Sequence, residues 1–299
     1  MLKKIIYGLL KKMKFLPTDF YLKIYYEYYV GKKLDLENPI EFNQKIQWLK
    51  AYYRPPILTQ LVDKYEVRKY VEEVVGAKYL NELIKVYDRS SDVNFDELPE
   101  QFVIKAVHGY HFNLIVEDKS KLNRTKARFL FKKWMSKNQY SRGGQEWAYK
   151  NVKPRLIAEK YLSEMGKAAI NDYKFFCFSG EPKFIQVDLD RTTGHVRSYY
   201  SEDWKKLDLA TIGITPFTGE LEKPKNYEEM IEVATKLADN FPFVRVDLYN
   251  VDGVILFGEM TFYPTDGRMD FVPDEYNYTI GDYMTLPKVP DGQNFITHV

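Results

Sequence analysis

The sequence predicts an α+β protein, with a helical N-terminal region over residues 1–60 and one larger domain over 61–299. Three observations carry that expectation. Helical spacing dominates residues 16–90, short apolar runs punctuated by turns dominate from residue 102 onward, and two alternating runs flank an Asp-Gly turn near the end.

In chain order, Met1 to Phe15 sets Ile5, Ile6, Leu9, Leu10 and Met13 at helical spacing among Lys3, Lys4, Lys11, Lys12 and Lys14. A basic amphipathic helix of this kind either lies on an anionic membrane surface or packs with its lysines in water. It falls short of the roughly 18 apolar residues of a spanning helix, and no small-residue cleavage site follows it. Asp35 to Pro39 is a turn, Ile40 to Tyr53 a helix, and Pro55-Pro56 a break. Leu61 to Val75 reads as a further amphipathic helix, Tyr79 to Tyr87 as mixed, and Asp92 to Pro99 as a loop. Phe102 to Val107 is a buried strand, Asn113 to Val116 its return, and Leu122 to Trp134 a helix. The polar and aromatic stretch Asn138 to Lys153, with Gly143-Gly144, predicts a mobile loop. Leu156 to Leu162 is a strand, Tyr173 to Ser179 and Lys183 to Val187 form a hairpin, and Tyr227 to Ala238 is a helix.

Composition bounds the class. A chain 45% hydrophobic and 29% charged can bury a real core and stay soluble. A net charge of +2 excludes a polycation built for nucleic acid. The charge is uneven: residues 1–33 carry +6, leaving −4 for the rest. The 25 Tyr suit sugar or nucleotide contact, or an ordinary core. A single cysteine, Cys177, excludes an intramolecular disulfide and reads as a buried small hydrophobe, with a reducing cytoplasm as the default compartment.

The chemistry concentrates near the end. Val244 to Tyr249 and Gly258 to Thr261 read as a hairpin through a turn at Asn250-Val251-Asp252-Gly253, whose Asp-Gly is a hairpin signal in a loop of two residues or more. Alternation puts Arg245, Asp247 and Tyr249 on one face, and Glu259 and Thr261 on one face of the return strand. Folding about the turn brings Asp247 and Glu259 together, where two carboxylates repel unless a cation lies between them. Oxygen ligands of this kind suit Mg²⁺. Arg245 beside them would stabilise charge on a transferring phosphoryl group. The alternative is a plain hairpin with a solvated acid on each strand. Lys105 and Lys174 each interrupt an apolar strand. Such a lysine either meets an anion such as phosphate or lies on a solvated face with its stem packed.

This order of parts resembles the ATP-grasp superfamily from Val62 to Asp282, and looks closest to the amidoligase branch typified by the teichuronopeptide-biosynthesis protein. The likeness is carried by Gln60-Leu-Val-Asp-Lys-Tyr65, Val107-His-Gly109, Glu146-Trp147 with Tyr149-Lys150, Lys153-Pro-Arg155, and Asp172-Tyr-Lys-Phe-Phe176 with Gly180 and Pro182-Lys-Phe-Ile185. It implies an ATP-grasp fold with the nucleotide between two α+β lobes, and an ATP-dependent ligase forming a C–N bond through an acyl phosphate. Lys105 and Lys174 would contact ATP phosphates, with His108 and Gly109 in the adjoining loop. The edge of the 157–162 segment, with Glu159, Lys160 and Leu162, would hold adenine, and Glu164 the ribose. Asp247, Glu259 and Thr261 would hold Mg²⁺. Thr261 stands where the superfamily usually has Asn. Arg245 and Lys174 would act on the transferring phosphate.

A second departure is the loop His108-Gly-Tyr-His-Phe-Asn113, which keeps one glycine where the family is glycine-rich. His108 and His111 could ligate zinc, but no third ligand is evident nearby. For the substrates, Arg142, Trp147, Tyr149 and Lys150 would close over the site, and Asp188, Asp190 and Arg191 would face it. The family setting implies a carboxylate-bearing sugar or glycan, such as a uronic acid, joined to an amine or amino acid in cell-surface polysaccharide assembly. The expected location is the cytoplasm, and the basic residues 1–33 leave open a peripheral contact with the inner face of the membrane. Two other readings stand: a glycosyltransferase or other transferase of surface-glycan biosynthesis, and a non-catalytic nucleotide-binding protein.

Overall fold

The structure, a computed structural model, describes residues 2–10, 12–163, 170–189 and 194–299. The chain opens with helices α1 (Leu2–Leu10), α2 (Thr18–Val30) and α3 (Phe42–Tyr52). The apolar stripe Phe42, Ile46 and Leu49 of α3 enters the core. Its next stripe is polar yet buried: Asn43, Gln47 and Lys50 hydrogen-bond the turn at 264–269 instead of water. The chain then breaks at Pro55-Pro56, as expected.

The single helix expected over Leu61 to Val75 is two, α4 (Ile57–Val62) and α5 (Val67–Val74). Asp63 divides them. One of its carboxylate oxygens accepts the N–H groups of Tyr65 at 2.8 Å and Glu66 at 3.1 Å, as a helix-starting aspartate does. The other takes Arg155 Nη2 at 2.8 Å.

Strand β1 (Leu83–Tyr87) lies in the stretch read as mixed. Strands β2 (Phe102–Ala106) and β3 (Asn113–Val116), helices α6 (Arg124–Met135) and α7 (Gln139–Arg142), and strand β4 (Leu156–Lys160) follow. The sheet order is β1-β4-β2-β3, antiparallel throughout. Phe102, Ile104, Leu156 and Ala158 face a small core with Phe95, Phe131 and Trp134. Alternation sends Lys105 and Glu159 to the other face. The segment expected to be a mobile loop is folded in: Gln139, Gln145, Glu146, Ala148 and Tyr149 are buried. Its polar residues find partners inside the protein, which is why composition alone reads it as a loop.

The larger sheet takes β5 (Asp172–Phe178), β6 (Glu181–Leu189), β7 (Val196–Ser201) and, after the short β8 (Ala210–Thr211), β9 (Thr215–Pro216). Helix α8 (Tyr227–Ala238) covers it, with Phe175 against Tyr227 at 6.4 Å between ring centroids. Strands β10 (Val244–Val251) and β11 (Val254–Thr261) complete the order β11-β10-β5-β6-β7-β9. The short β12 (Phe271–Val272) pairs with β8, and α9 (Glu275–Asp282) packs on α3.

On the face opposite α8, Phe176 and Phe178 meet Phe42 of α3. The N-terminal helices thus cover the apolar half of that face, and its polar half is left to the cleft. The β10–β11 turn is a two-residue loop, Asp252 and Gly253, both with positive φ.

Asp63→Ala removes two backbone caps and the partner of Arg155. It should cost about 2 kcal/mol in urea unfolding, and Asp63→Asn, which keeps an acceptor, should cost less.

Candidate active site

Strand register sorts the polar face of the larger sheet into rows. Glu259, Asp247, Lys174 and Gln186 lie across neighbouring strands in one row, and Tyr249, Asp172, Asp188 and Arg197 in the next. Side chains from one sheet face, with Lys64, Lys105, Tyr110, Glu146 and Asp266, line a cavity of about 450 Å³.

The charges neutralise one another. Arg245 grips Asp247 with two nitrogens, Nε at 2.6 Å and Nη2 at 2.7 Å. Lys174 lies between Asp172 and Asp247, 2.8 Å from the latter. Lys64 reaches Glu259 at 2.8 Å, and Lys105 meets Glu159 at 2.7 Å. Burial opposes the Lys174 charge, but Asp172 and Asp247 outweigh it and raise its pKa. Burial pushes the Asp247 carboxyl up against the pull of Arg245 and Lys174. Against its partial burial, Glu259, whose side chain is 33% exposed, is held below the carboxylate range by Lys64 and Arg245.

One atom shows what the acids can hold. Arg245 Nη2 lies 2.7 Å from Asp247 Oδ2, 3.1 Å from Thr261 Oγ1 and 3.4 Å from Glu259 Oε1. Two carboxylates and a hydroxyl converge on a single cationic nitrogen. An all-oxygen set of this kind fits Mg²⁺ in donor chemistry. Among the described residues no group of three or more His, Cys, Asp or Glu is placed to hold a metal. His108 does not join His111: its Nε2 meets Trp134 O at 3.0 Å.

Comparison with known proteins gives the family. The TupA-like ATPgrasp family model matches residues 44–285. The chain belongs to that family. No curated protein matches the chain. Among solved structures it is similar to D-alanine–D-alanine ligase from Bacillus anthracis, at 17% identity over 81% of this chain and 72% of that one, with a TM-score of 0.45. It is also similar to the ADP complex of N5-carboxyaminoimidazole ribonucleotide synthetase, at 12% identity over 73% and 50%, with a TM-score of 0.41. A third is the ATP-grasp ligase PsnB with a phosphomimetic variant of minimal precursor, Mg and ADP, at 10% identity over 80% and 64%, with a TM-score of 0.42. The chain spans from half to about three quarters of the length of these structures. The family match, with helices packed on mainly antiparallel sheets, bears out the expected ATP-grasp fold of class α+β, and the expected ATP-dependent ligase is an activity that fits the family.

Within this ATP-grasp frame the residues singled out in the sequence divide. Lys105, Tyr149, Lys174, Asp188, Arg245, Asp247, Glu259 and Thr261 line the cavity. Glu159 and Leu162 line a recess that shares Lys64, Lys105, Tyr249 and Gly258 with it. Asp188 is engaged by Arg197 at 2.6 Å and His195 at 3.0 Å. Strand β4 is not an edge: β1 and β2 flank it, so adenine contact through free backbone would have to come after Lys160.

The side chain of Lys160 points to the opposite face, near Glu82, because it follows Glu159 in the alternation. His108 is turned into the small core, where burial lowers its pKa, and Gly109 packs against Phe112. Arg142 lies over Phe112 and donates to Tyr110 O; Lys150 lies over Tyr140; Trp147 packs on the core. None of these three is a lining residue. Glu164, Asp190 and Arg191 lie outside the described residues.

Sequence reasoning gave no role to Lys64, Glu146, Asp266 or Arg268. Lys64 and Glu146 stood inside quoted motifs, which was the available signal. Asp266 lies at the centre of Thr265-Asp266-Gly267, three successive residues with positive φ, held by Lys50 at 2.6 Å and Tyr25 at 2.7 Å. Burial, then Asp266, pushes the Glu146 carboxyl up to about 8.

Asp247→Asn leaves Arg245 and Lys174 short of a counter-charge and should lower stability by about 3 kcal/mol in chemical unfolding. Glu146 has a folded pKa raised above its ordinary 4.5, so its ionisation works against folding as pH rises from about 4.5 to about 8. Glu146→Gln should match the wild type in melting temperature at pH 5 and exceed it at pH 8.

Proposed function

We propose that this protein is an ATP-dependent carboxylate–amine ligase that modifies a cell-surface polysaccharide or its precursor. The observation that carries the reading is the convergence of Asp247, Glu259 and Thr261 on one cationic nitrogen, in a cavity that also holds Lys105 and Lys174. Family membership supports the ligase class.

Lys105 and Lys174 would bind nucleotide phosphates as point charges, exchanging their present carboxylate partners for phosphate oxygens. Asp247, Glu259 and Thr261 would hold Mg²⁺, which when bound neutralises charge on the phosphates. Arg245, turned from Asp247, would stabilise the transferring phosphoryl group. The substrate carboxylate attacks the γ-phosphorus, the bond to ADP breaks, and an acyl phosphate forms. An amine then attacks its carbonyl carbon, and phosphate leaves as the amide forms. Positioning and charge neutralisation are the main demands of both steps, and the cations and acids that line the cavity suit them.

A uronic acid on a nucleotide sugar or glycan is the proposed acyl donor, and an amine or amino acid the acceptor. ATP as substrate favours a cytoplasmic site of action. No described helix is long and apolar enough to cross a membrane. Leu9, Phe15 and Phe20 are exposed in the basic N-terminal segment, which supports a peripheral contact of residues 1–33 with the inner leaflet.

The test is a thermal shift of wild type and Asp247→Asn with ATP, ADP and UDP-sugars, with and without Mg²⁺, followed by ADP release. Mg²⁺-dependent stabilisation by ATP, lost in the variant, is expected, as is ADP release that requires both a carboxylate and an amine. Stabilisation by a UDP-sugar alone would instead indicate a transferase.

A further inference from the structure

Glu146 is a buried acid that the phosphoryl chemistry leaves unused. It is 1% exposed yet lines the cavity. Gln139 Nε2 donates to its Oε2 at 3.1 Å, and among the described residues no cation forms an ion pair with it. Asp266 beside it is different, being taken by Lys50 and Tyr25. A buried carboxylate without a counter-cation is costly to keep ionised. The chain nevertheless builds the position with care: a Cβ on Gly144 would stand 2.7 Å from both Asp266 carboxylate oxygens and from Lys50 Nζ. Only glycine lets the 143–146 segment come this close. A second buried polar group lines the same cavity. Tyr263 Oη meets no hydrogen-bond partner; the Ala148 N–H approaches without forming one.

We propose that Glu146 is the catalytic base for the incoming amine, receiving it as a primary ammonium ion between its carboxylate and Tyr263 Oη. The inference rests on the ligase reading above. An ammonium offers three donors and a positive charge close enough to pair with the Glu146 carboxylate, which Lys50, engaged by Asp266, does not do. Glu146 takes one proton and becomes the neutral acid. The amine lone pair then attacks the carbonyl carbon of the acyl phosphate, and the bond from that carbon to the phosphate oxygen breaks with its electrons on phosphate. The second proton leaves nitrogen for the departing phosphate, giving amide and hydrogen phosphate. The groups facing Glu146 are Asp266, Lys50, Arg268, Tyr110, Tyr149 and Tyr263. A carboxyl raised by burial toward neutrality suits a base working there.

The experiment is a thermal shift of wild type and Glu146→Gln with MgADP, adding the standard L-amino acids and ethanolamine one at a time. A shift of a few degrees by at least one primary ammonium compound is expected in the wild type, lost in Glu146→Gln while its MgADP shift shows the fold intact. No shift from any of them in MgADP-responsive wild type, or an equal shift in the variant, overturns the inference and leaves the ligase reading standing. No MgADP response in the wild type removes the ligase reading and the inference with it. With UDP-glucuronate as carboxylate, hydroxylamine serves as an amine already neutral at pH 7. The ratio of amide to hydroxamate should fall on the order of 10²-fold in Glu146→Gln; an unchanged ratio marks a structural role only.

Discussion

The face of the larger sheet that looks into the cleft must keep Asp172, Asp188, Asp247, Lys174 and Arg245 out of water without leaving any of them uncompensated. Arg245 and Lys174 do this around Asp247, the shared partner of both, and Arg197 compensates Asp188. An ion pair of this kind is weak evidence for stability, since its desolvation cost rivals its attraction. It is better understood as a store of charge. On the proposed ligase reading, phosphate oxygens and a divalent ion would take the place of these internal partners as a nucleotide enters.

That network depends on elements far away. Asp63 ends one helix, starts the next and holds Arg155, and the residue after it, Lys64, reaches Glu259. Helix α3 contributes apolar residues to cover half of the same sheet face, and Gln47 and Lys50 to hold the strained turn around Asp266. Positive φ at three successive residues is tolerated there because backbone and side chain are held from several sides. The N-terminal helices and the cavity are therefore mechanically one unit.

The loop after β2 keeps only Gly109. Phe112 accounts for part of that departure: it belongs to the small core, stacked on Trp134 with centroids 5.8 Å apart. His111, with φ 62°, and Tyr110 line the cavity instead. The bulky residues thus serve packing on one side and the cavity wall on the other.

Local pattern was enough for much of this. Alternation placed Arg245, Asp247 and Tyr249 on one face, the Asp-Gly turn set the register that brings Asp247 opposite Glu259, and Lys105 and Lys174 stood out as charges within apolar strands. Helix α8 was legible to the residue, because its apolar spacing has no competitor. Local pattern could not divide the helix at Asp63, where one side chain outweighs periodicity, nor fold in the segment 138–153, which is tied to Lys14 at Gly143 and Gln145 and to Asp88 at Lys153. It could not find the Lys64–Glu259 pair, 195 residues apart, or the Glu146 pocket, which is assembled with Asp266 and Tyr263 from another part of the chain. Periodicity within an element reports which side chains share a face. Which faces then meet is decided by burial and charge compensation across the whole molecule, and the tertiary structure alone carries that.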